Sequence, residues 1–435
     1  MVSISQLYSV SDSGEPNPWL VKNGYLYFGQ NFGGNPNSEG YIKKLKLDDL
    51  TETTIYGPRK KWAMWKAVHD IKNNRLIAVG EANDDSDIQR AGITIVDLSN
   101  DIAQLVLHPN TGDCNEFIAV LLDYENNRLI VGERVIGGGT TGSNWPNGGG
   151  LWIIPLDTIT DPSTWDRIYE DPNNAEWRNI VYFKGLYYAS MFRSGSLSKI
   201  RKSSDLQTWS DVESSNSNSV SCGLDADDEI LAYSIVDSSG NLVVKWTKDG
   251  STWNSVTIGT PPSNSHVQLI IIGKYIVVRV GDRDNKTEDV YIINTETSDV
   301  YSIATGLTGF TSSGEGVFDG QQNFYFGTSN KYDTPSYIYK LVFDAKRTIS
   351  FSISNPNPAP NETITLEATL LDENSNPVSG VDIEFYVLWY GFRGHPATGE
   401  LIGSATTDNN GKASVQYTIP SNASGKLVFR ALYKG

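Results

Sequence analysis

The sequence predicts an all-β protein whose larger part is a seven-bladed β-propeller. Three turns that end in Thr-Trp place Trp165, Trp209 and Trp253 at two equal intervals of 44 residues. A strand-rich repeat of roughly 40 to 50 residues is typical of propellers. No long window shows helical periodicity, and the 22 Tyr, 11 Trp and 40 Gly suit many short strands joined by turns.

A repeated hairpin gives the number of blades. Each copy has an apolar strand, a tight polar turn rich in Asn, Asp or Gly, and a second apolar strand, because these turn residues tolerate the positive φ of short hairpins. Seven copies are present, at Val21–Phe28, Ile71–Ile77, Tyr124–Ile130, Phe183–Tyr188, Ala226–Leu231, Ile272–Val277 and Phe318–Phe326. The last blade lacks an outer strand, and Ser3–Tyr8 is expected to supply it and remove a free sheet edge.

The composition changes after Lys346-Arg347, which divides the chain into a propeller over residues 1–345 and a second domain over 346–435. The second part contains short strands separated by turns such as Asp408–Gly411. About 85 residues with this spacing predict an immunoglobulin-like β-sandwich.

The charge, the hydropathy and the cysteine content limit the classes of partner and the cellular locations that suit this chain. A formal charge of −16 with a pI near 4.7 repels phosphate backbones, so nucleic acid is an unsuitable partner. No apolar run is long enough for a transmembrane helix, and the first residues lack the regions of a signal peptide. An extracellular, cell-surface or virion-surface location is nevertheless expected, by a removed leader or another export route. Cys114 and Cys222 are expected to stay free, with a disulfide as the alternative.

The three Thr-Trp turns resemble the Asp-box of sialidase-like propellers. Thr247–Trp253 is the best match to Ser/Thr-x-Asp-x-Gly-x-Thr-Trp in its shortened form, and Asp205 and Asp161 hold the place of Asp249 in looser copies. An Asp at this place can accept hydrogen bonds from turn amides while the Trp packs between blades. The resemblance implies a fold more than a chemistry, and it implies that these turns lie opposite the ligand face.

Two departures weaken a sialidase assignment. An Arg-Ile-Pro motif is missing near the start, and seven blades replace the six of that family. The C-terminal part, with Gly403–Ala413, is similar to bacterial and archaeal Ig-like modules of adhesins and surface proteins.

Candidate ligand contacts lie in the long loops and at the starts of the inner strands. The loop Gly137–Trp145 presents Trp145, or else Trp145 folds back on a neighbouring blade. The ligand-binding candidates are Trp145, Trp177, Trp65, Arg178 and His266.

Carboxylates at the same strand starts form a second candidate set. Aligned by repeat, Glu116, Glu176 and Glu315 ring the mouth of the central channel with His266. Convergent carboxylates can perform acid–base or nucleophilic work on a glycoside. The alternative is that each carboxylate pairs with Arg178, Lys66 or a backbone amide.

No metal or cofactor is predicted with defined ligands. Asp84–Asp87 is an acidic run that suggests calcium, but it lacks the ligand spacing of an EF-hand. The four histidines form no spaced pair with one another or with a cysteine, which argues against zinc.

The sequence therefore predicts a non-enzymatic surface or virion protein that binds a glycan or glycoprotein through its loop-rich face. The alternatives are a glycoside hydrolase that uses Glu116, Glu176 and Glu315, and a scaffold for protein–protein interaction. No insertion into a membrane is expected, and the oligomeric state is left open.

Overall fold

The structure is a computed structural model of the 435-residue chain. It describes residues 2–10, 14–32, 39–60, 62–83, 89–108, 116–134, 149–171, 175–193, 196–217, 219–310, 314–320, 322–329, 336–343, 347–372, 376–388, 391–392, 395–396, 399–421 and 428–433.

These residues form an all-β fold dominated by seven four-stranded antiparallel sheets, in the manner of a β-propeller. The first six sheets each use four consecutive strands. The first sheet contains β2 (Gly14–Lys22), β3 (Tyr25–Phe32), β4 (Glu39–Lys46) and β5 (Glu52–Lys60). The second contains β6 (Ala63–Asp70), β7 (Arg75–Asn83), β8 (Gln89–Asp97) and β9 (Ile102–Leu107). The third contains β10 (Glu116–Asp123), β11 (Arg128–Arg134), β12 (Gly150–Pro155) and β13 (Asp166–Glu170), and the fourth contains β14 (Glu176–Phe183), β15 (Leu186–Arg193), β16 (Ser196–Ser203) and β17 (Ser210–Ser214). The fifth contains β18 (Leu224–Ala226), β19 (Leu231–Val236), β20 (Leu242–Thr247) and β21 (Asn254–Gly259), and the sixth contains β22 (Ser265–Ile272), β23 (Tyr275–Asp282), β24 (Thr287–Asn294) and β25 (Val300–Thr308).

The seventh sheet joins the two ends of this region. It contains β26 (Val317–Phe318), β27 (Asn323–Thr328), β28 (Ser336–Phe343) and, as its outer strand, β1 (Val2–Val10). β1 pairs antiparallel with β28, from Val2 opposite Phe343 to Val10 opposite Ser336. Ser3–Tyr8, the segment assigned to this position from the sequence, lies within β1.

The hairpin turns have the backbone conformation that their residues favour. Asn23, Asn74 and Asn127 have φ of 51°, 50° and 51°, and Gly185 has φ of 86°. Positive φ is characteristic of tight hairpins, and Asn and Gly adopt it at low cost. These turns lie at one end of the sheets, the turn face. The inner strands begin at the opposite end, the channel face.

Apolar side chains hold neighbouring sheets together. One cluster joins the second sheet to the third through residues such as Ile77 and Val120. Another joins the seventh sheet to the first through Tyr325 and Leu26. Because such clusters link each sheet to the next, the core is distributed around the ring between sheets.

The three Asp–Trp turns lie on the turn face, where two short 3-10 helices (Leu156–Thr158 and Pro162–Thr164) shape the first of them. The Asp205 carboxylate accepts hydrogen bonds from the backbone N–H groups of Gln207 and Thr208 at 2.8 and 2.7 Å. Asp249 does the same with Ser251 and Thr252, both at 2.7 Å.

Asp161 completes this set by accepting from Ser163 N–H at 3.1 Å. The tryptophans pack between sheets: Trp165 joins the cluster of the second and third sheets, and Trp209 joins that of the third and fourth. Trp253 packs, partly buried, against the cluster of the fourth and fifth sheets. Each of the three Asp side chains therefore bonds within its own turn, and each Trp packs between two sheets.

The C-terminal part forms two three-stranded sheets and a short hairpin. One sheet has the order β29 (Arg347–Ile353), β30 (Thr363–Asp372), β35 (Lys412–Thr418), and the other has β34 (Gly399–Thr406), β31 (Asp382–Leu388), β36 (Val428–Tyr433). The hairpin pairs β32 (Gly391–Phe392) with β33 (His395–Pro396). Side chains of both sheets, including Leu366 and Phe385, share one buried core. Within the described residues, no helix has the length and apolar character needed to cross a bilayer.

Candidate binding site at the central channel

Four inner strands carry a β-bulge at the same place near the channel face. The register with the second strand shifts between Pro18 and Leu20, and again between Met64 and Lys66. The same shift occurs in the third and fourth sheets, at Phe117/Ala119 and Trp177/Asn179. The extra residues are Trp19, Trp65, Ile118 and Arg178. A bulge re-aims a side chain locally, and bulges are frequent next to functional sites.

A small cavity lies beside these bulges, between the second and sixth sheets. Its volume is about 10 Å³, which is room for roughly one water-sized group. The cavity is lined by Lys66, Ile118, Arg178, Asn179, Ser221, Cys222, Val267 and Gln268. Its charged lining residues, Lys66 and Arg178, are both cations.

Lys66 crosses the channel and fixes the position of one wall. Its Nζ donates to the backbone oxygen of Arg178 at 2.6 Å and to Glu315 Oε1 at 2.8 Å. The side chains of Lys66 and Glu315 are only 5% and 16% exposed. One ammonium group therefore connects the second, fourth and seventh sheets.

Two arginines and two glutamates form a charged cluster next to the cavity. Arg134 Nη1 lies 3.2 Å from Glu116 Oε2, and Arg134 Nε lies 3.4 Å from Glu176 Oε1. Arg178 Nη2 lies 2.5 Å from Glu176 Oε2. Burial raises the pKa of the Glu116 carboxyl, and the positive charge of Arg134 opposes that rise. Glu116 is therefore more easily neutralised than an exposed glutamate.

Two polar atoms of the cavity wall lack partners within the part of the chain that the structure describes. They are Arg178 Nε, a donor, and Asn179 Oδ1, an acceptor. Asn179 is 2% exposed and is held by its Nδ2, which donates to the backbone oxygen of Leu224 at 2.6 Å. A buried donor and a buried acceptor without partners are costly, so they mark a place for a hydrogen-bonding group.

A hydroxyl–imidazole pair lies on the other side of the cavity. Ser221 Oγ is 3.4 Å from His266 Nδ1, and the two residues form an isolated parallel bridge. Ser221 Oγ also accepts a 3.4 Å hydrogen bond from Val267 N–H. These distances are long for a nucleophile–base pair, whose hydrogen bond is typically about 2.6 to 3.2 Å.

The predicted carboxylates are brought together only in part. Glu116 and Glu176 share Arg134, whereas Glu315 pairs with Lys66. Each carboxylate is thus engaged by a cation, which is the second of the two arrangements considered from the sequence. A glycoside hydrolase is not supported.

The predicted ligand-binding residues have different positions. Arg178 lines the cavity and His266 contacts Ser221. Trp177 is fully buried, its Nε1 donates to Gly149 O at 2.6 Å, and its ring meets Trp209 edge-on at 4.9 Å. Its ring therefore offers no face to a sugar. Trp65 is partly buried, and Trp145 lies outside the described residues.

Sequence reasoning missed the neutral residues of the site. Asn179, Gln268 and Ser221 look like ordinary polar residues of strands, and only the bulge and the neighbouring inner strands bring them to one cavity. Cys222, which also lines it, is a free buried thiol whose pKa burial raises to about 12. Cys114 and the acidic run Asp84–Asp87 lie outside the described residues. Among the residues that are described, no group of three or more His, Cys, Asp or Glu is placed to hold a metal ion.

In comparisons with known proteins, the chain is similar to solved structures only. No protein family and no curated protein matches the sequence. The chain is similar to a prolyl endopeptidase from a study of inter-domain dynamics in two such enzymes, with 7% identity over 83% of this chain and 55% of that chain, and a TM-score of 0.47. It is also similar to a post-proline cleaving enzyme from Rickettsia typhi, with 12% identity over 82% of this chain and 58% of that chain, and a TM-score of 0.41. The chain spans little more than half the length of these structures.

The prediction of a non-enzymatic adhesin for a glycan or glycoprotein was wrong. The similar solved structures are peptidases that cleave after proline. The buried ring of Trp177 also removes one of the proposed sugar contacts. The predictions of adhesion, carbohydrate binding and virion attachment, and of a glycan or glycoprotein partner, were wrong for the same reason.

Proposed function

We propose that the central channel is a recognition site for the main chain of a peptide. The observation that carries this proposal is the unpartnered pair of Arg178 Nε and Asn179 Oδ1 in the cavity wall. A peptide group has one N–H donor and one C=O acceptor. It is therefore complementary to one acceptor and one donor presented side by side.

The size of the cavity supports a small polar group as the part of the ligand that enters. About 10 Å³ accommodates a carbonyl or carboxylate oxygen but not a sugar ring or an aromatic side chain. The remaining part of the peptide would lie along the channel face.

The proposal includes a specific architecture. The seven sheets are taken as seven blades of one ring over residues 1–345, the three Asp–Trp turns as Asp-boxes, and residues 346–435 as an Ig-like sandwich. The support is the continuous series of inter-sheet clusters and the separate core around Phe385. An extracellular or surface location stays a prediction, and limited proteolysis of intact source cells or particles would test it.

The test begins with capture of a peptide. The parent protein is immobilised and exposed to a peptide pool that includes proline-containing sequences, and mass spectrometry identifies both retained and cleaved peptides. Retained peptides are then titrated against the parent, an Arg178→Lys variant and an Arg201→Lys variant. Arg201 is a matched control, because it lies in the fourth sheet and is also ion-paired, to Asp171 at 2.9 Å, but does not line the cavity.

The expected result is retention by the parent and a loss of about tenfold in affinity for Arg178→Lys, because lysine has no Nε–H in that place. Arg201→Lys should bind as the parent does. The absence of any retained peptide, or an equal loss in both variants, would remove the assignment. Cleaved products would add hydrolysis to the function and direct attention to Ser221 and His266.

A further inference from the structure

We infer that the cavity binds the C-terminal carboxylate of the peptide, so that the ligand is a free chain end rather than an internal segment. This inference rests on the proposed function and specifies its ligand. Its basis is the sign of the charges that face the cavity. Lys66 and Arg178 line it, and no carboxylate does so among the described residues.

The cations are held in place before a ligand arrives. Lys66 is fixed by Glu315 and by the backbone oxygen of Arg178, and Arg178 is fixed by Glu176. A positive wall that is already ordered loses little conformational entropy when an anion binds.

One carboxyl group of the surroundings can become neutral when an anion binds. The cations near the cavity are Lys66, Arg134 and Arg178; their paired carboxyl groups are Glu116, Glu176 and Glu315, and Glu81 also acts on Arg134 by its charge. Glu116 is fully buried, and its burial raises its pKa, so it is the member that most readily gives up its charge. Protonation of Glu116 can thus offset the negative charge that a ligand carboxylate brings.

The rest of the molecule restricts the kind of anion. The chain carries a formal charge of −16, so polyanions are repelled from most of its surface. The cavity admits one small group. A single carboxylate at the end of a chain satisfies both conditions. Its oxygen would accept from Arg178 Nε, and the N–H of the last peptide group would donate to Asn179 Oδ1.

The test uses matched peptide pairs on the intact chain. A retained peptide is synthesised with a free C-terminal carboxylate and as the C-terminal amide, and both are titrated by calorimetry. The acid is expected to bind about tenfold more tightly than the amide, since the amide loses a charge-assisted interaction. Acetate and inorganic phosphate are titrated alone and as competitors, to distinguish a chain end from a free anion.

Two variants locate the effect. Lys66→Met should reduce the difference between acid and amide to less than about threefold, because half of the positive wall is removed. Lys199→Met is the control: Lys199 is ion-paired to Asp211 at 2.5 Å in the fourth sheet but lies outside the cavity. If Lys66→Met does not fold, the peptide pairs on the parent protein still decide the question.

The outcomes separate the two proposals. Equal affinity for acid and amide overturns the chain-end inference and leaves peptide binding in place. Binding of neither peptide overturns the proposed function itself. Phosphate or acetate that binds as tightly as the acid peptide assigns the cavity to a free anion and also overturns the inference.

Discussion

Lys66 and Glu315 form an ion pair at 2.8 Å that joins the second sheet to the start of the seventh, although the two residues are 249 positions apart in the chain. The same Nζ donates to the backbone oxygen of Arg178 in the fourth sheet. The Lys66 side chain therefore connects three sheets across the channel, and it also lines the candidate binding site.

Replacement of Lys66 should show how much its contacts contribute to the free energy of unfolding. Lys66→Met leaves the partly buried Glu315 carboxylate without its cation, so the free energy of unfolding should fall by about 3 kcal/mol in urea titrations. The exposed pair of Lys199 and Asp211 is the reference, and Lys199→Met should change stability by less than about 0.5 kcal/mol. Equal decreases in the free energy of unfolding of the two variants would show that the ion pair of Lys66 and Glu315 does not stabilise the fold more than an exposed pair does.

Trp177 should act as a core residue. Its ring is fully buried against Trp209, and a Cβ added at Gly132 would lie 2.4 Å from the Trp177 Cβ. Trp177→Ala should cost about 3 to 5 kcal/mol, measured by chemical denaturation. Trp253→Ala, in a partly buried position, should cost less. A Trp177→Ala protein with parental stability would contradict the observed packing.

Asp205 should stabilise the protein in a pH-dependent way. Hydrogen bonds from the Thr208 and Gln207 N–H groups lower its pKa to about 2. A carboxyl whose pKa is lower in the folded state stabilises it above the unfolded pKa of about 3.9, and this contribution disappears as the pH falls through the folded value. The urea midpoints of the parent and of Asp205→Asn should thus differ at pH 7 and converge between about pH 4 and 2.

The control for that comparison is Asp166→Asn, an exposed aspartate at the start of β13. Its urea midpoint should stay close to that of the parent at every pH. A difference between the parent and Asp205→Asn that stays constant down to pH 2 would exclude the carboxylate as the cause.

Glu116 should show the opposite dependence. Burial raises its pKa above the ordinary 4.5, so the folded state binds this proton more tightly than the unfolded state does. The associated stabilisation is present below the unfolded pKa and is lost as the pH rises through the folded value. Relative to Glu116→Gln, the parent should become more stable as the pH falls from 7 toward 4.5, measured by urea unfolding. A constant difference over this range would contradict the raised pKa.

Local features of the fold were predictable because they depend on neighbouring residues. Asn23, Asn74 and Asn127 occupy turns that need positive φ, and the Asp–Trp turns form the hydrogen bonds that their spacing suggests. The burial of Trp177 was not foreseen from the sequence, although Met64 and Phe117, at the equivalent positions before the bulges of the second and third sheets, are also fully buried.

The site was harder to foresee because it depends on distant parts of the chain. Arg178 and His266 were identified from their place in the repeat, and both lie at or next to the cavity. The pairing of Lys66 with Glu315 and the place of Asn179 in the cavity lining depend on the repeated β-bulge and on contact between sheets that are far apart in the chain. Neither a bulge nor the distance between two strands that far apart is specified by a local pattern.

The most direct test of peptide recognition is calorimetric titration of one retained peptide against the parent, Arg178→Lys and Arg201→Lys. We expect saturable binding to the parent, about tenfold lower affinity for Arg178→Lys, and for Arg201→Lys the same affinity as the parent. Identical affinity in all three proteins would place the peptide elsewhere and contradict the assignment of the cavity.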